Sequence, residues 1–379
     1  FTFHRRAYGA FKPNSFLNGP LLSAGPYNIP HVFIEEHMVY TNKIPCGHMR
    51  SPGDPQGFFA NESQMDLVAK KLGMDPVKFR QKNFMHDGDI DPTGEEYSYI
   101  KTDETLKKAL EDSGYQKPKP KNVGRGIALV QWTPAGGIGT VAISLDDKGV
   151  ATISSAMADQ GAGTYKVLSE IVAEELKIPL SQIKIRQLDT QTGVKDTGVG
   201  GSRATRVYGN AGYEAAMKAV AAIKQEAAHQ MGVAADQITI ANGAALHPRM
   251  ERRLTYGEIV KAKGAPIAVD ATFNDNSKIH AASMCVQVAE VEVDPATGQI
   301  ELKKFTSTHN TGTVLNPLMH QGQIEGASMT GIGYALMEEV IINDGKVATT
   351  HFGEYKIPTI KDAPVFKGSV SQAPHGAGP

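Results

Sequence analysis

The spacing of apolar positions changes along the chain and divides it into elements. Phe58, Phe59, Met65, Leu67, Val68 and Leu72 fall on one face at helical spacing, and Gly73 offers a stop. Asp75-Pro76 opens a short helix running to Asn83, and Thr102-Asp103-Glu104-Thr105 caps another that ends at Gly114. Before residue 56, Pro13, Pro20, Pro26, Pro30 and Pro45 break short apolar runs, which predicts extended segments and loops. Later, strands are predicted at Gly126–Gln131, Thr140–Leu145, Ala151–Ser155 and Ile183–Gln187. Helices are predicted at Lys166–Leu176, Thr205–Met231 and Tyr256–Ala262. Two strongly β-patterned runs, Cys285–Val293 and Ile300–Thr306, flank Asp294-Pro295-Ala296-Thr297-Gly298, a hairpin turn with Pro and Gly where the backbone needs them. A helix from Met319 to Glu339 completes the set.

Strands outnumber βαβ units, which predicts an α+β fold of two mixed α/β domains over a doubly wound parallel sheet. Between Gly114 and Gly124 the chain is polar, basic and twice broken by proline. That stretch predicts a first domain over 1–115, a linker over 116–123 and a second domain over 124–379. No internal repeat or long low-complexity segment appears.

Composition narrows the function classes. The 379 residues are 41% hydrophobic, enough for a sizeable core, and 39 Lys and Arg against 40 Asp and Glu leave a formal charge of -1. That balance gives no net draw toward nucleic acid or anionic membrane. Cys46 and Cys285 lie far apart, so neither a disulfide framework, a zinc site nor an iron-sulfur centre is predicted; they read as reduced thiols. No apolar run reaches spanning length and no signal peptide is legible, which fits a cytoplasmic setting. The chain opens at Phe1 without Met and closes at Gly376-Ala377-Gly378-Pro379 as if in mid-loop, which reads as a fragment or part of a longer polypeptide.

Three stretches share one design, small residues delivering the chain into or within a helix. These are Asp159-Gln160-Gly161-Ala162-Gly163-Thr164, Gly198-Val199-Gly200-Gly201-Ser202-Arg203 and Gln323-Ile324-Glu325-Gly326-Ala327-Ser328. Amides at a helix start are free to bind an anion, and a missing side chain lets a phosphate or planar ring approach the main chain. Each alone can be only a turn. No dinucleotide fingerprint, P-loop, G-x-S-x-G or HExxH is present, and the twelve histidines show no metal-ligand spacing. Glu174-Glu175 and Glu338-Glu339 are adjacent on predicted helices and so do not face each other. Several backbone-lined anion sites without a nucleotide signature point to an unusual cofactor.

Taken in order, the blocks resemble one family. They are Tyr40-Thr41-Asn42, Met49-Arg50-Ser51-Pro52-Gly53-Asp54-Pro55-Gln56, Asp75-Pro76 with Arg80-Gln81-Lys82-Asn83, Asp159–Thr164, Ser202-Arg203 with Gly209-Asn210-Ala211, Glu290–Asp294, Asn316-Pro317, Gln323–Gly326 and Glu354-Tyr355-Lys356-Ile357-Pro358. The chain resembles the C-terminal half of the molybdenum hydroxylase large subunit, of the xanthine dehydrogenase and aldehyde oxidoreductase family. The resemblance implies a molybdopterin cofactor, alone or as a dinucleotide. Its molybdenum would be held through the pterin dithiolene, with no direct metal ligand from this chain. Met49 and Arg50 resemble the dipeptide beside the molybdenum ligands. Gln160, Gly161, Ala162 and Gly163, then Gly200, Gly201 and Ser202, resemble cofactor contacts, and Gln323 resembles the glutamine that bonds the pterin.

Departures from the family pattern also carry information. Ala162 stands where many members have Gln, so one amide contact to the cofactor is absent or supplied by Gln160. Purine-oxidising members carry an aromatic ring where Pro52 stands and an arginine near Asn18, which argues against a purine. Trp132 lies in the stretch that lines the funnel in relatives and is placed to stack on an aromatic substrate, although a core role is its plainer reading. The family's general-base glutamate is expected beyond Pro379, so no catalytic residue is expected within this chain.

The sequence thus predicts a cofactor-binding component of a hydroxylase or dehydrogenase that oxidises an aromatic N-heterocycle, an aldehyde or an aromatic thioester with water as oxygen source. Its implied partners are an iron-sulfur subunit carrying [2Fe-2S], a flavin subunit carrying FAD and the N-terminal half of the large subunit if split. The alternative is a non-catalytic assembly or cofactor-carrier chain of the same fold.

Overall fold

A computed structural model describes residues 24–35, 49–189, 191, 196–276 and 280–371. Its main elements are helices α1 (Asp54–Lys71), α2 (Pro76–Lys82) and α3 (Thr102–Ser113), then strands β1 (Val123–Trp132), β2 (Gly137–Leu145) and β3 (Ala151–Ser155). Helix α4 (Thr164–Leu176), strand β4 (Ile183–Gln187) and helix α5 (Ala204–Met231) follow. The short strands β5 (Thr239–Ala241), β6 (Ala244–His247) and β7 (Arg252–Thr255) lead into α6 (Tyr256–Lys263) and β8 (Ile267–Asp275). The chain ends with β9 (Ser283–Val293), β10 (Ile300–Asn310), α7 (Pro317–Leu336) and β11 (Val365–Val370). This mixture of helix and sheet is the α+β class that the strand count predicted. The predicted helices and strands all appear, mostly within a few residues, but β5–β8 and β11 were not anticipated.

The chain forms two compact units, residues 1–133 with 279–377, and residues 134–278 with 378–379. The stretch 116–123 expected as a linker lies inside the first unit, so these units cut differently from the expected division into 1–115 and 124–379. The reason is strand pairing: β1, directly after that stretch, runs antiparallel to β9, with Val130 opposite Cys285 and Ile127 opposite Val288. A contact over such a sequence distance overrides the local linker composition.

In the first unit the sheet order is β11-β10-β9-β1. β9 and β10 form the predicted hairpin. Asp294 accepts from Ala296 N at 2.8 Å and Thr297 Oγ1 at 2.9 Å, and Gly298 takes a positive φ of 74°. Ile127, Leu129, Val286 and Val288 join Leu106 and Ala109 of α3 in the core, with Met65, Val77, Tyr27 and Phe84.

Helix α1 reverses the amphipathic reading. Its buried residues are Asp54, Gly57, Asn61, Glu62, Met65 and Ala69, whereas Phe59 is 77% and Leu67 62% exposed. The inward face is polar because it carries an ion-pair network. Glu62 accepts from Tyr27 OH (2.7 Å), Arg80 Nε (2.9 Å) and the Leu129 amide (3.0 Å). Arg80, fully buried, also reaches Asp66 at 2.7 Å and the Glu62 carbonyl at 3.0 Å. Burial pushes the Glu62 carboxyl up against the pull of Arg80, Tyr27 and Leu129.

In the second unit the sheet order is β4-β3-β2-β8. β3 and β4 are parallel and α4 crosses between them, while β2 runs antiparallel to both neighbours. The long α5 lays an alanine-lined face on the core, burying Ala211, Ala215, Ala216, Ala219, Ala227 and Ala228. Small residues bring its axis close: a Cβ on Gly212 would stand 2.3 Å from Leu168 of α4.

Candidate cofactor site

The site residues predicted from sequence divide between the units. Met49, Arg50, Pro52, Trp132 and Gln323 belong to the first, and Gln160–Gly163 and Gly200–Ser202 to the second. Asn18 and Cys46 lie outside the described residues.

In the first unit, the chain just before α1 meets α7. Arg50 Nη2 donates to Gln323 Oε1 at 3.0 Å, joining residues 273 positions apart. Tyr334 OH, three turns further along α7, donates to the Met49 sulfur. Both Met49 and Arg50 are exposed, as a pair that meets a ligand must be, and Gln323 is half-buried. Asn316 starts this helix by accepting from Met319 N at 3.2 Å, so the Asn-Pro of the motif is a helix start. Pro52 is half-buried in the turn before α1. Trp132 ends β1 half-buried. Its carbonyl accepts from Ser283 Oγ at 3.0 Å, while its buried Nε1 has no partner.

Sequence reasoning passed over Asp54 in the same stretch. Its carboxyl is buried at the first residue of α1 with both oxygens unpartnered, and burial pushes its pKa up to about 6. It lies within the Met49–Gln56 motif block, but its burial is not legible there, because an aspartate in a first helical turn normally reads as an exposed dipole partner.

In the second unit the loop 159–164 corrects one expectation. Its amides are turned inward: Asp159 Oδ1 accepts from Gly161 N (2.9 Å) and Gly163 N (3.3 Å), and Oδ2 from Tyr165 N (3.3 Å). The loop holds its own carboxylate, so the amides of Gly161 and Gly163 are not an empty anion cradle. Gln160, Gly161 and Ala162 remain exposed. Sequence reasoning gave no role to Thr164, the first residue of α4, whose Oγ1 is buried without a partner. A buried hydroxyl in that state is costly unless something meets it.

The loop 196–203 is arranged differently. Gly201 and Ser202 take positive φ of 81° and 59°, and Arg203, the residue before the 28-residue α5, makes no side-chain cap to it. Hydrogen bonds hold the loop against β2 and its approach: Ala135 N donates to Gly201 O (2.8 Å) and Thr197 Oγ1 to Ile138 O (2.9 Å). Arg203 Nε donates to Gly200 O. A long helix start with a fixed glycine approach can seat an anion.

Each unit offers contacts of its own: in the first, the Arg50–Gln323 pair is polar and able to meet a heterocycle, and in the second the glycine-lined start of α5 is able to meet a phosphate. Among the described residues no three His, Cys, Asp or Glu side chains are grouped to hold a metal ion.

Comparison with known proteins gives the same direction. The domain family described as molybdopterin cofactor-binding matches twice, over residues 3–84 and 99–364. The chain is 31% identical over 366 residues to a probable subunit of xanthine dehydrogenase from Bacillus subtilis (strain 168), covering 91% of this chain and 48% of that protein. It is 29% identical over 371 residues to the 6-hydroxypseudooxynicotine dehydrogenase complex subunit gamma of Paenarthrobacter nicotinovorans, covering 90% of this chain and 46% of that one. The chain thus spans about half the length of the curated relatives it matches. Among solved structures, the aldehyde oxidoreductase of Desulfovibrio gigas superposes with a TM-score of 0.80 at 25% identity, over 100% of this chain and 42% of that one. Quinoline 2-oxidoreductase of Pseudomonas putida 86 shares the fold, with a TM-score of 0.86 at 24% identity over 100% of this chain and 53% of that one.

Proposed function

The chain belongs to the molybdopterin cofactor-binding family of molybdenum hydroxylase large subunits, and from that premise we propose that it holds the cofactor of an oxidoreductase acting on an aromatic N-heterocycle, an aldehyde or an aromatic thioester, with water as oxygen source. The observation that carries this reading is the Arg50–Gln323 hydrogen bond, which joins two motif blocks into one polar pair.

When bound, the cofactor supplies a two-electron oxidant and a Lewis acid. The chain supplies position. Arginine only donates, so Gln323 turns its carbonyl oxygen to Arg50, which fixes the orientation of the side chain beside the pterin. Gly200, Gly201 and Ser202 bring the start of α5 to a phosphate of the cofactor, where the first amides of the helix can donate. Gln160 and the Thr164 hydroxyl complete the contacts from the start of α4. Trp132 offers a ring face to an aromatic substrate, and Pro52 removes the ring that would clamp a purine.

Electrons leave through a [2Fe-2S] subunit and a FAD subunit, in a cytoplasmic complex whose large subunit also contains the family's N-terminal half. The names of relatives as complex subunits support partner chains of this kind. The test is elemental analysis with pterin fluorescence on the native complex, as wild type and Gln323→Ala. Near-stoichiometric molybdenum and pterin with several irons, reduced in the variant, is the expected result. Iron without molybdenum or pterin would leave the non-catalytic carrier or assembly reading.

A further inference from the structure

The buried side of α7 ends on a histidine. Ile324, Ser328 and Ile332 are buried at a spacing of four, and the half-buried His320 is the next position of that stripe toward the helix start. There it meets the sheet: the rings of His320 and of His309 on β10 pack edge to face, with centroids 6.4 Å apart. The same turn lies close on β11, where a Cβ on Gly368 would stand 2.6 Å from Gln321 Nε2. Gln323, which accepts from Arg50, follows His320 by three residues and so sits beside it on the helix surface.

The groups around the two rings suit neutral imidazoles. His309 Nε2 is 2.8 Å from Ser307 Oγ and 3.6 Å from the sulfur of Cys285 on β9. Gln287 Nε2 donates to the same Ser307 oxygen at 3.1 Å, which leaves the hydroxyl hydrogen for Nε2 and makes His309 an acceptor there. From β9, burial pushes the Cys285 thiol up to about 12, so it brings no charge. The chain leaving β11 brings only main chain, the Ser371 amide donating to the His309 carbonyl at 2.8 Å. On α7, Gln321 donates to Glu325 at 2.7 Å, and burial lowers the pKa of His320. Thr311 Oγ1 lies 3.5 Å from His320 Nε2. Among the described residues no carboxylate hydrogen-bonds to either ring. A proton on one ring is therefore uncompensated, and one on each sets two like charges edge to face.

We propose that His309 is a positioning residue for the cofactor site: in its neutral form it seats His320, and through that turn of α7 it holds Gln323 in reach of Arg50. Protonation of the pair unseats the turn and releases Gln323. The consequence for the cofactor rests on the reading of Gln323 given above, whereas the seating of α7 stands on the histidine pair alone.

Hydrogen exchange of the native complex, read by mass spectrometry and corrected for the intrinsic effect of pH, tests this between about pH 7 and pH 4.5. Peptides from the first half of α7 should lose protection by about tenfold per pH unit while those of β9 keep theirs. Bound pterin should fall over the same interval. His309→Asn, which keeps a neutral acceptor beside Ser307, and His320→Asn each remove one ring of the pair, and each should abolish the acid response; either variant decides if the other does not fold. An α7 indifferent to acid, one that opens only together with β9, or the same acid response in the variant would overturn the proposal. Pterin content separates this from the function: an acid-sensitive α7 in a complex without pterin sinks the cofactor reading and keeps the role of His309, and pterin beside an unresponsive α7 does the reverse.

Discussion

Arg50 and Gln323 stand 273 residues apart and share a 3.0 Å hydrogen bond. A charged hydrogen bond of this kind contributes about 1.5–3 kcal/mol, or roughly ten- to a hundred-fold in affinity. Arg50→Ala and Gln323→Ala should each lower pterin and molybdenum content of the native complex on that scale. Because the two act as one unit, the double variant should be little worse than the poorer single one. Additive losses would show that the residues act separately.

The buried network around Arg80 should govern stability of the first unit. Arg80→Met leaves Glu62 buried without its cation, and breaking a buried pair this way costs about 3–5 kcal/mol. Chemical denaturation gives the number directly. Glu62→Gln combined with Arg80→Met should cost less than the sum of the single changes.

His309 predicts an acid-sensitive stability. Burial, then the neighbouring His320, lower its pKa from 6.5 to about 4, and it lies against Ser307, Cys285 and the edge of His320. Between these two values the unfolded chain binds more protons, so stability is fully present above pH 6.5 and falls as pH drops toward 4, by about 3 kcal/mol. Thermal midpoints across that window should show the slope, and His309→Asn should flatten it. An unchanged slope would assign the effect to another group.

Gly201 and Gly200 should separate strain from space at the start of α5. Gly201 has φ 81°, and a Cβ there would stand 2.6 Å from the Ala135 Cβ, so Gly201→Val should cost about 1–3 kcal/mol and reduce bound cofactor. A Cβ on Gly200 meets nothing within 4 Å, and Gly200→Ala should leave the thermal midpoint nearly unchanged. Equal losses in both would mean that the loop tolerates no side chain for another reason.

The sequence by itself determined the elements whose signals are local. Period, glycine stops and turn residues marked α3, α4 and the β9–β10 hairpin, and the order of motif blocks marked the family; Thr102, read as a cap of α3, is instead its first residue, with its buried hydroxyl unpartnered. Strands such as β8, which takes its place by pairing with β2, needed the sheet around them. Likewise the buried side of α1 was decided by Arg80 and Tyr27 meeting Glu62, so a polar face turned inward and Phe59 outward. The glycine loops look alike as sequence, and only the fold separated them. Asp159 turns back onto the amides of one, while the other enters its helix through positive φ at Gly201 and Ser202. Such choices depend on which groups satisfy one another across long stretches of chain. A one-dimensional pattern carries periodicity, but it does not carry partners.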